Sequence, residues 1–149
     1  MPVAPKQSVV APVDFSNPSF EALDAALEYV DDPAHLHVVY ALPPLSVSEP
    51  GVIWKTIDND GRIAHAEKSL RERLTDAKYA GIDLRAVIGE AGDAIIEVAD
   101  EVNAELIVMS SHGRTGLGRV LLGSVADRVV RLAECPVLVV KPTQKRRAK

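Results

Sequence analysis

Leu106-Ile107-Val108-Met109-Ser110-Ser111-His112-Gly113-Arg114-Thr115-Gly116-Leu117-Gly118-Arg119-Val120-Leu121-Leu122-Gly123-Ser124 is the stretch on which the fold turns. A continuous apolar run of strand length, Leu106 to Met109, enters it, and an apolar-periodic stretch from Val125 leaves it. Glycines punctuate the segment between. Glycine lets a backbone turn sharply and approach a ligand closely, and the start of a helix offers unpaired N–H groups to an anion. The segment therefore reads as a strand, a phosphate-cradling loop and a helix.

The same alternation extends outward in both directions. Ser8–Val13 is a valine-rich run followed by turn residues, and Asn17-Pro18 reads as an N-cap and first helical position, since proline's missing N–H costs nothing there. Ala22, Leu23, Ala26, Leu27 and Val30 form one helical face. Leu36–Leu42 is a second strand that Pro43-Pro44 cannot continue. Residues 45–60 lack periodicity and read as a loop with a fragment of structure at 52–57. Helical spacing returns from Ile63 to Tyr79, with Gly81 as its C-cap. Ile82–Ile88, Ala94–Val102, Leu106–Met109, Val125–Ala133 and Val137–Val140 complete the series as strand, helix, strand, helix and strand. Alternating elements with continuous apolar strands predict an α/β fold, a parallel sheet covered by helices on both faces through right-handed crossovers.

Two prolines qualify the sheet. Pro12 lacks a ladder donor and belongs at the carboxyl end of the first strand, which is also where ligands bind in open α/β sheets. Pro136 opens a last strand whose residues Val137, Leu138, Val139 and Val140 would form a bare apolar edge. A second copy of the chain is the expected cover, making a homodimer.

At 149 residues, 47% of them hydrophobic, the chain suits one domain with a real core. A net charge of −4 argues against a nucleic-acid partner. The basic run Lys145-Arg146-Arg147-Ala148-Lys149 reads as a solvated tail. One cysteine, Cys135, excludes an internal disulfide and reads as a small core residue. The absence of a signal pattern and of any apolar run of about 20 residues predicts a cytoplasmic protein with no membrane insertion.

Neither G-x-x-x-x-G-K-[ST] nor G-x-G-x-x-G occurs. What does occur is Gly113, nine residues, then Gly123-Ser124. This spacing resembles the universal stress protein family, whose nucleotide-binding members carry G-x2-G-x9-G-[ST] after the fourth strand. The segments 10–16, 106–114 and 135–140 agree with it, so the resemblance covers about residues 6–142, with 143–149 as the tail. It implies a Rossmann-like single domain with an open five-stranded parallel sheet of order 3-2-1-4-5. One departure stands out: the motif's first glycine falls on Ser110, which tolerates fewer backbone conformations.

The resemblance also implies roles, position by position. Asp14 would contact the ribose or adenine side, Pro12 and Val13 would form part of the adenine wall, and Ala41 would offer backbone groups to the base. Met109 and Ser110 would line the nucleoside. Gly113, Gly116, Gly123, Ser124 and Val125 would surround the phosphates, with Arg114 and Arg119 adding charge. The implied ligand is ATP or a related adenine nucleotide, with magnesium as its accompanying ion, and the implied role is a homodimeric stress-response module that regulates a protein partner. With no positioned general base beyond Asp14, the chain is expected not to be an enzyme, or at most a very slow ATPase. The alternative is a dimeric interaction protein of the same fold that loads no nucleotide.

Plainer readings accompany several of these residues. Ser124 and Asp127 have the spacing of a capping box, which alone would explain both. Asp14 could be only a turn former. His35 and His37 would share a strand face but lack a third metal ligand. His112 would touch phosphate or simply be exposed, and Trp54 reads as a packing anchor for its loop.

Overall fold

The computed structural model describes residues 4–45, 58–112 and 122–142. The expected fragment at 52–57, Trp54, Gly113, Arg114, Gly116, Arg119 and the basic tail lie outside the described residues. Among the described residues five strands and four helices alternate: β1 (Val9–Val13), α1 (Asn17–Leu27), β2 (Leu36–Leu42), α2 (Asn59–Arg73), β3 (Asp83–Ile88), α3 (Ala91–Glu101), β4 (Leu106–Ser110), α4 (Ser124–Leu132) and β5 (Val137–Val140). All strand pairs are parallel, and the order β3-β2-β1-β4-β5 is the one expected.

Side chains alternate across a strand, so each face of the sheet draws on every second residue. Val9, Ala11, Leu36, Val38, Leu106 and Val108 pack with Phe20, Leu23 and Leu70 from α1 and α2. Val10, Val39, Ile107 and Met109 pack with Ile95, Val98, Ala126 and Val129 from α3 and α4. Gly92 lets α3 and α4 close on each other: a Cβ there would meet the Arg128 stem at 3.0 Å, and Arg128 Nε donates to Asp93 Oδ1 at 2.8 Å beside it.

Helix ends depart from expectation. Ser16, not Asn17, is the N-cap of α1, its hydroxyl accepting from the Ser19 amide at 3.3 Å. Helix α2 starts before Ile63, because the Asp58 carboxylate accepts the Gly61 amide at 2.6 Å and caps a wholly polar first turn. It ends at Arg73, and a separate 3-10 turn, Ala77–Tyr79, follows; Gly81, at φ +93°, therefore closes that turn and not the helix. Helix α3 likewise begins at Ala91, ahead of the expected Ala94. Cys135 is half-buried at the margin of the α3/α4 core, and burial raises its thiol pKa.

The strand order reverses direction between β1 and β4. From β1 the chain crosses to β2 on one side, while β4 continues to β5 on the other. Pairing of β1 with β4 covers only Val9↔Leu106 and Val10↔Ile107, whereas β1 pairs with β2 over five residues. Pro12, with no N–H to give, sits beyond the point where that short ladder stops. A crevice opens there at the carboxyl ends of the strands, the position at which open α/β sheets bind ligands.

Candidate functional site

The crevice is a cleft with an enclosed volume of about 190 Å³ that opens widely to solvent. Of the residues singled out from sequence, Pro12, Val13, Asp14, Ala41, Met109, Ser110, Gly123, Ser124 and Val125 all line it. Strand alternation explains the floor. Pro12 follows Val10, Ala41 follows Val39 and Met109 follows Ile107 at a spacing of two, so all three point to the α3/α4 face.

Asp14 follows β1 in a closed ring of hydrogen bonds. Its Oδ1 accepts the Ser16 amide at 3.0 Å and the Ser16 hydroxyl in a short contact. The Ser19 hydroxyl donates to the Ser16 carbonyl at 2.8 Å and accepts the Asp14 amide at 3.2 Å. Asp14 is thus a turn former as well as a cleft residue. Its second oxygen, Oδ2, has no partner among the described residues.

Phe15, next in the chain, has φ +66°. A left-handed backbone at a bulky residue costs about 1–3 kcal/mol and persists only where its surroundings impose it. Here the ring is held edge-on to Phe20 (6.2 Å, 82°) and to Tyr40 (5.1 Å, 87°). Each such pair contributes about 0.5–1.5 kcal/mol beyond burial, which offsets the backbone cost.

On the opposite wall the Ser110 hydroxyl donates to the His112 carbonyl at 2.7 Å, the Ser111 amide donates to the Val140 carbonyl at 3.0 Å, and the Gly123 amide donates to the Ser111 carbonyl at 2.8 Å. Gly123 has an ordinary φ of −62°, so its requirement is space: a Cβ would lie 3.2 Å from the Ser111 oxygen and 3.4 Å from His112 Cα. His112 also lines the cleft, with Nδ1 3.1 Å from the Ser111 hydroxyl and Nε2 buried without a hydrogen-bond partner among the described residues.

The capping-box reading of Ser124 is overturned. Gly123 is the N-cap of α4, Ser124 is its first helical residue, and no side chain caps the helix. Asp127 instead pairs with Arg131 at 3.0 Å. Helix α3 also lacks a side-chain cap, although Glu90 precedes it. The contrast with the other face is complete, since α1 and α2 are capped by Ser16 and Asp58. Helices α3 and α4, whose first turns reach the cleft at Ala91 and Ser124, leave their leading N–H groups without side-chain acceptors among the described residues, whereas α1, which reaches it at Ser19, is capped.

Ser19, Val39, Ala91, Ile95, Ser111 and Ala126 join the cleft without having been singled out. Val39 was legible from its spacing to Ala41. Ala91 and Ile95 carried no motif, because only the crossover of α3 brings them over the switch point.

The paired histidines separate. His35 lies in the 3-10 turn Pro33–His35, while His37 on β2 places Nδ1 2.6 Å from Asp83 Oδ2, an oxygen that also accepts Arg85 at 2.6 Å. Among the described residues no group of three or more His, Cys, Asp or Glu could hold a metal ion, and no helix is long and apolar enough to cross a membrane.

The family model for the universal stress protein family matches residues 6–141. Universal stress protein MJ0531 of Methanocaldococcus jannaschii is 34% identical over 93% of this chain and 84% of its own length. Universal stress protein A homolog 1 of Coxiella burnetii is 30% identical over 89% and 94%. Against universal stress protein Rv2005c of Mycobacterium tuberculosis the identity is 32%, and the match spans only 41% of that longer protein. Among solved structures, the M. jannaschii protein MJ0577 aligns with TM-score 0.75 at 23% identity over 93% of this chain and 98% of that one, a likeness of fold. A universal stress protein in complex with cAMP aligns with TM-score 0.63 at 28% identity over 93% and 98%.

Proposed function

The chain belongs to the universal stress protein family, and from that premise we propose that it is a cytoplasmic adenine-nucleotide-binding module, with ATP as the ligand. One observation carries the reading. Helices α3 and α4, alone among the four described, lack side-chain caps, and both present their first turns to the cleft. Unpaired helix-leading amides favour an anion, and Gly123 leaves the space beside them that a Cβ would fill.

The other residues divide the ligand between them. Pro12, Val13, Ala41 and Met109 offer an apolar wall to a base, and Asp14 Oδ2 is a free acceptor for ribose hydroxyls. Gly123, Ser124 and Val125 lead α4 at the phosphate end; the Ser124 hydroxyl makes no hydrogen bond among the described residues. Gly113, Arg114 and Gly116 belong to this phosphate end by the family motif. Magnesium would accompany the triphosphate and neutralise part of its charge. The complex of a related universal stress protein with cAMP supports the same class of ligand.

Binding without turnover fits the chemistry at hand. Asp14 is the one carboxylate lining the cleft among the described residues, and its Oδ1 is committed to Ser16. We assign the domain to about residues 6–142 and a homodimer to β5, whose four half-buried residues form a sheet edge. A regulated protein partner is the role left for such a dimer.

Calorimetric titration of nucleotide-free protein with ATP tests the reading: saturable heat and a raised melting temperature are expected, and neither at millimolar ATP would refute it. A second reading, a dimeric interaction protein that loads no nucleotide, is favoured by Ser110, where the motif's first glycine would stand. Mass analysis of small molecules released on denaturation separates the two, since an endogenous adenine nucleotide eliminates the second.

A further inference from the structure

We infer that Phe15 is a positioning residue for ligand binding, acting through Asp14 without lining the cleft itself. The inference rests on the nucleotide reading of the cleft and adds to it the device that aims its acidic group. Asp14 Oδ1 and the Ser16 amide close an Asx turn, the side-chain counterpart of a backbone β-turn. A positive φ at its second residue corresponds to the position that calls for glycine in a type II turn. Phenylalanine occupies it at φ +66°, so the turn is held from outside and not by its own preference.

The holding contacts come from two elements. Tyr40 ends toward the carboxyl edge of β2, in register with Val13, and Phe20 stands in the first turn of α1. Both rings meet Phe15 nearly edge-on, and the Arg73 guanidinium of α2 stacks 4.4 Å over Phe20 from outside. The clamp fixes the backbone between Asp14 and Ser16. That in turn commits Oδ1 to the Ser16 amide and hydroxyl, leaving Oδ2 as the acceptor available to a ligand. Among the described residues the one other non-glycine with positive φ is Asn103, a residue type that tolerates it.

The test combines ATP titration with amide hydrogen exchange on the full chain and its variants. Phe15→Leu keeps an apolar side chain but loses both ring contacts; it should weaken ATP about tenfold, the scale of one misaligned charge-assisted hydrogen bond. The Ser16 amide should exchange about tenfold faster, while amides in the middle of α1 are unchanged. Phe15→Tyr should restore both readouts. Combined with Asp14→Ala, Phe15→Leu should weaken binding no further than Asp14→Ala alone, as a group acting through Asp14 requires. Tyr40→Leu, which removes one ring contact outside the cleft, should shift both readouts the same way and serves if Phe15→Leu does not fold. Wild-type affinity in a folded Phe15→Leu protein, or additive losses in the double variant, would overturn the inference. If the wild-type chain binds no ATP, the nucleotide reading fails by itself, and unchanged Ser16 exchange in Phe15→Leu would then overturn the clamp as well.

Discussion

The Gly123 amide donates to the Ser111 carbonyl at 2.8 Å, drawing the residue before α4 back onto the residue after β4. That closure makes Gly123 a steric requirement with no conformational one.

Substitutions at Gly123 should therefore scale with side-chain bulk. Gly123→Ala places a Cβ 3.2 Å from the Ser111 oxygen, which a shift of a few tenths of an ångström relieves; a stability loss of about 1 kcal/mol and weakened ATP binding are expected. Gly123→Val adds branches where phosphate would approach and should abolish binding while the protein still folds. Urea unfolding and calorimetry measure the two effects; normal binding by a folded Gly123→Val protein would show that phosphate lies elsewhere.

Asp14→Asn keeps an oxygen for the Ser16 amide and removes the charge. ATP affinity should fall roughly ten- to a hundredfold, the cost of a charged acceptor, with stability changed by less than about 1 kcal/mol. Ser124→Ala should cost affinity only a few-fold and leave α4 intact, because Ser124 is not its cap. A large loss of stability in Ser124→Ala would contradict that assignment.

Ser16→Ala removes both the N-cap of α1 and the hydroxyl held by Asp14. Caps of this kind contribute about 0.5–2 kcal/mol. Asn17→Ala, by contrast, should be nearly silent, and chemical denaturation of the two variants side by side decides which residue caps the helix.

The pKa of Asp83 is lowered despite burial. Burial is the largest influence and raises it, but the His37 hydrogen bond together with the Arg85 hydrogen bond and charge outweigh that. A carboxylate with a depressed folded pKa stabilises the protein above its unfolded pKa, about 3.9. That contribution is lost as pH falls from there through the lower folded value, where the unfolded state binds more protons. Asp83→Asn should flatten the acid limb of a melting-temperature profile below about pH 4. An unchanged limb would mean that the His37–Asp83–Arg85 cluster contributes nothing to acid stability.

Val139 is central in the β5 edge, and Val139→Asp puts a charge where a second copy would pair. Sedimentation should give a dimer for the wild type and monomer or insoluble protein for the variant; an unaltered dimer would place the interface elsewhere.

Apolar runs and their period were enough, from sequence, to locate every strand among the described residues. Leu36–Leu42 and Val137–Val140 stand at their expected bounds, and the other three differ by one residue at one end. Burial on both faces writes the central strands β1 and β4 as nearly unbroken apolar stretches, and a glycine-rich loop after the fourth strand is visible as a motif. Helix ends were decided by tertiary structure. The first turn of α2 faces water and carries no apolar signal, and the choice between Ser16 and Asn17 depends on where Asp14 directs the chain. The cleft divides in the same way. Asp14, Gly123 and Ser124 were legible because chemistry restricts which residue types can serve there. Ala91, Ile95 and the uncapped starts of α3 and α4 were not, since each acquires its role only when the crossovers bring distant segments over the gap between β1 and β4; nor was the left-handed Phe15, which depends on Phe20 of α1 and Tyr40 of β2 meeting its ring.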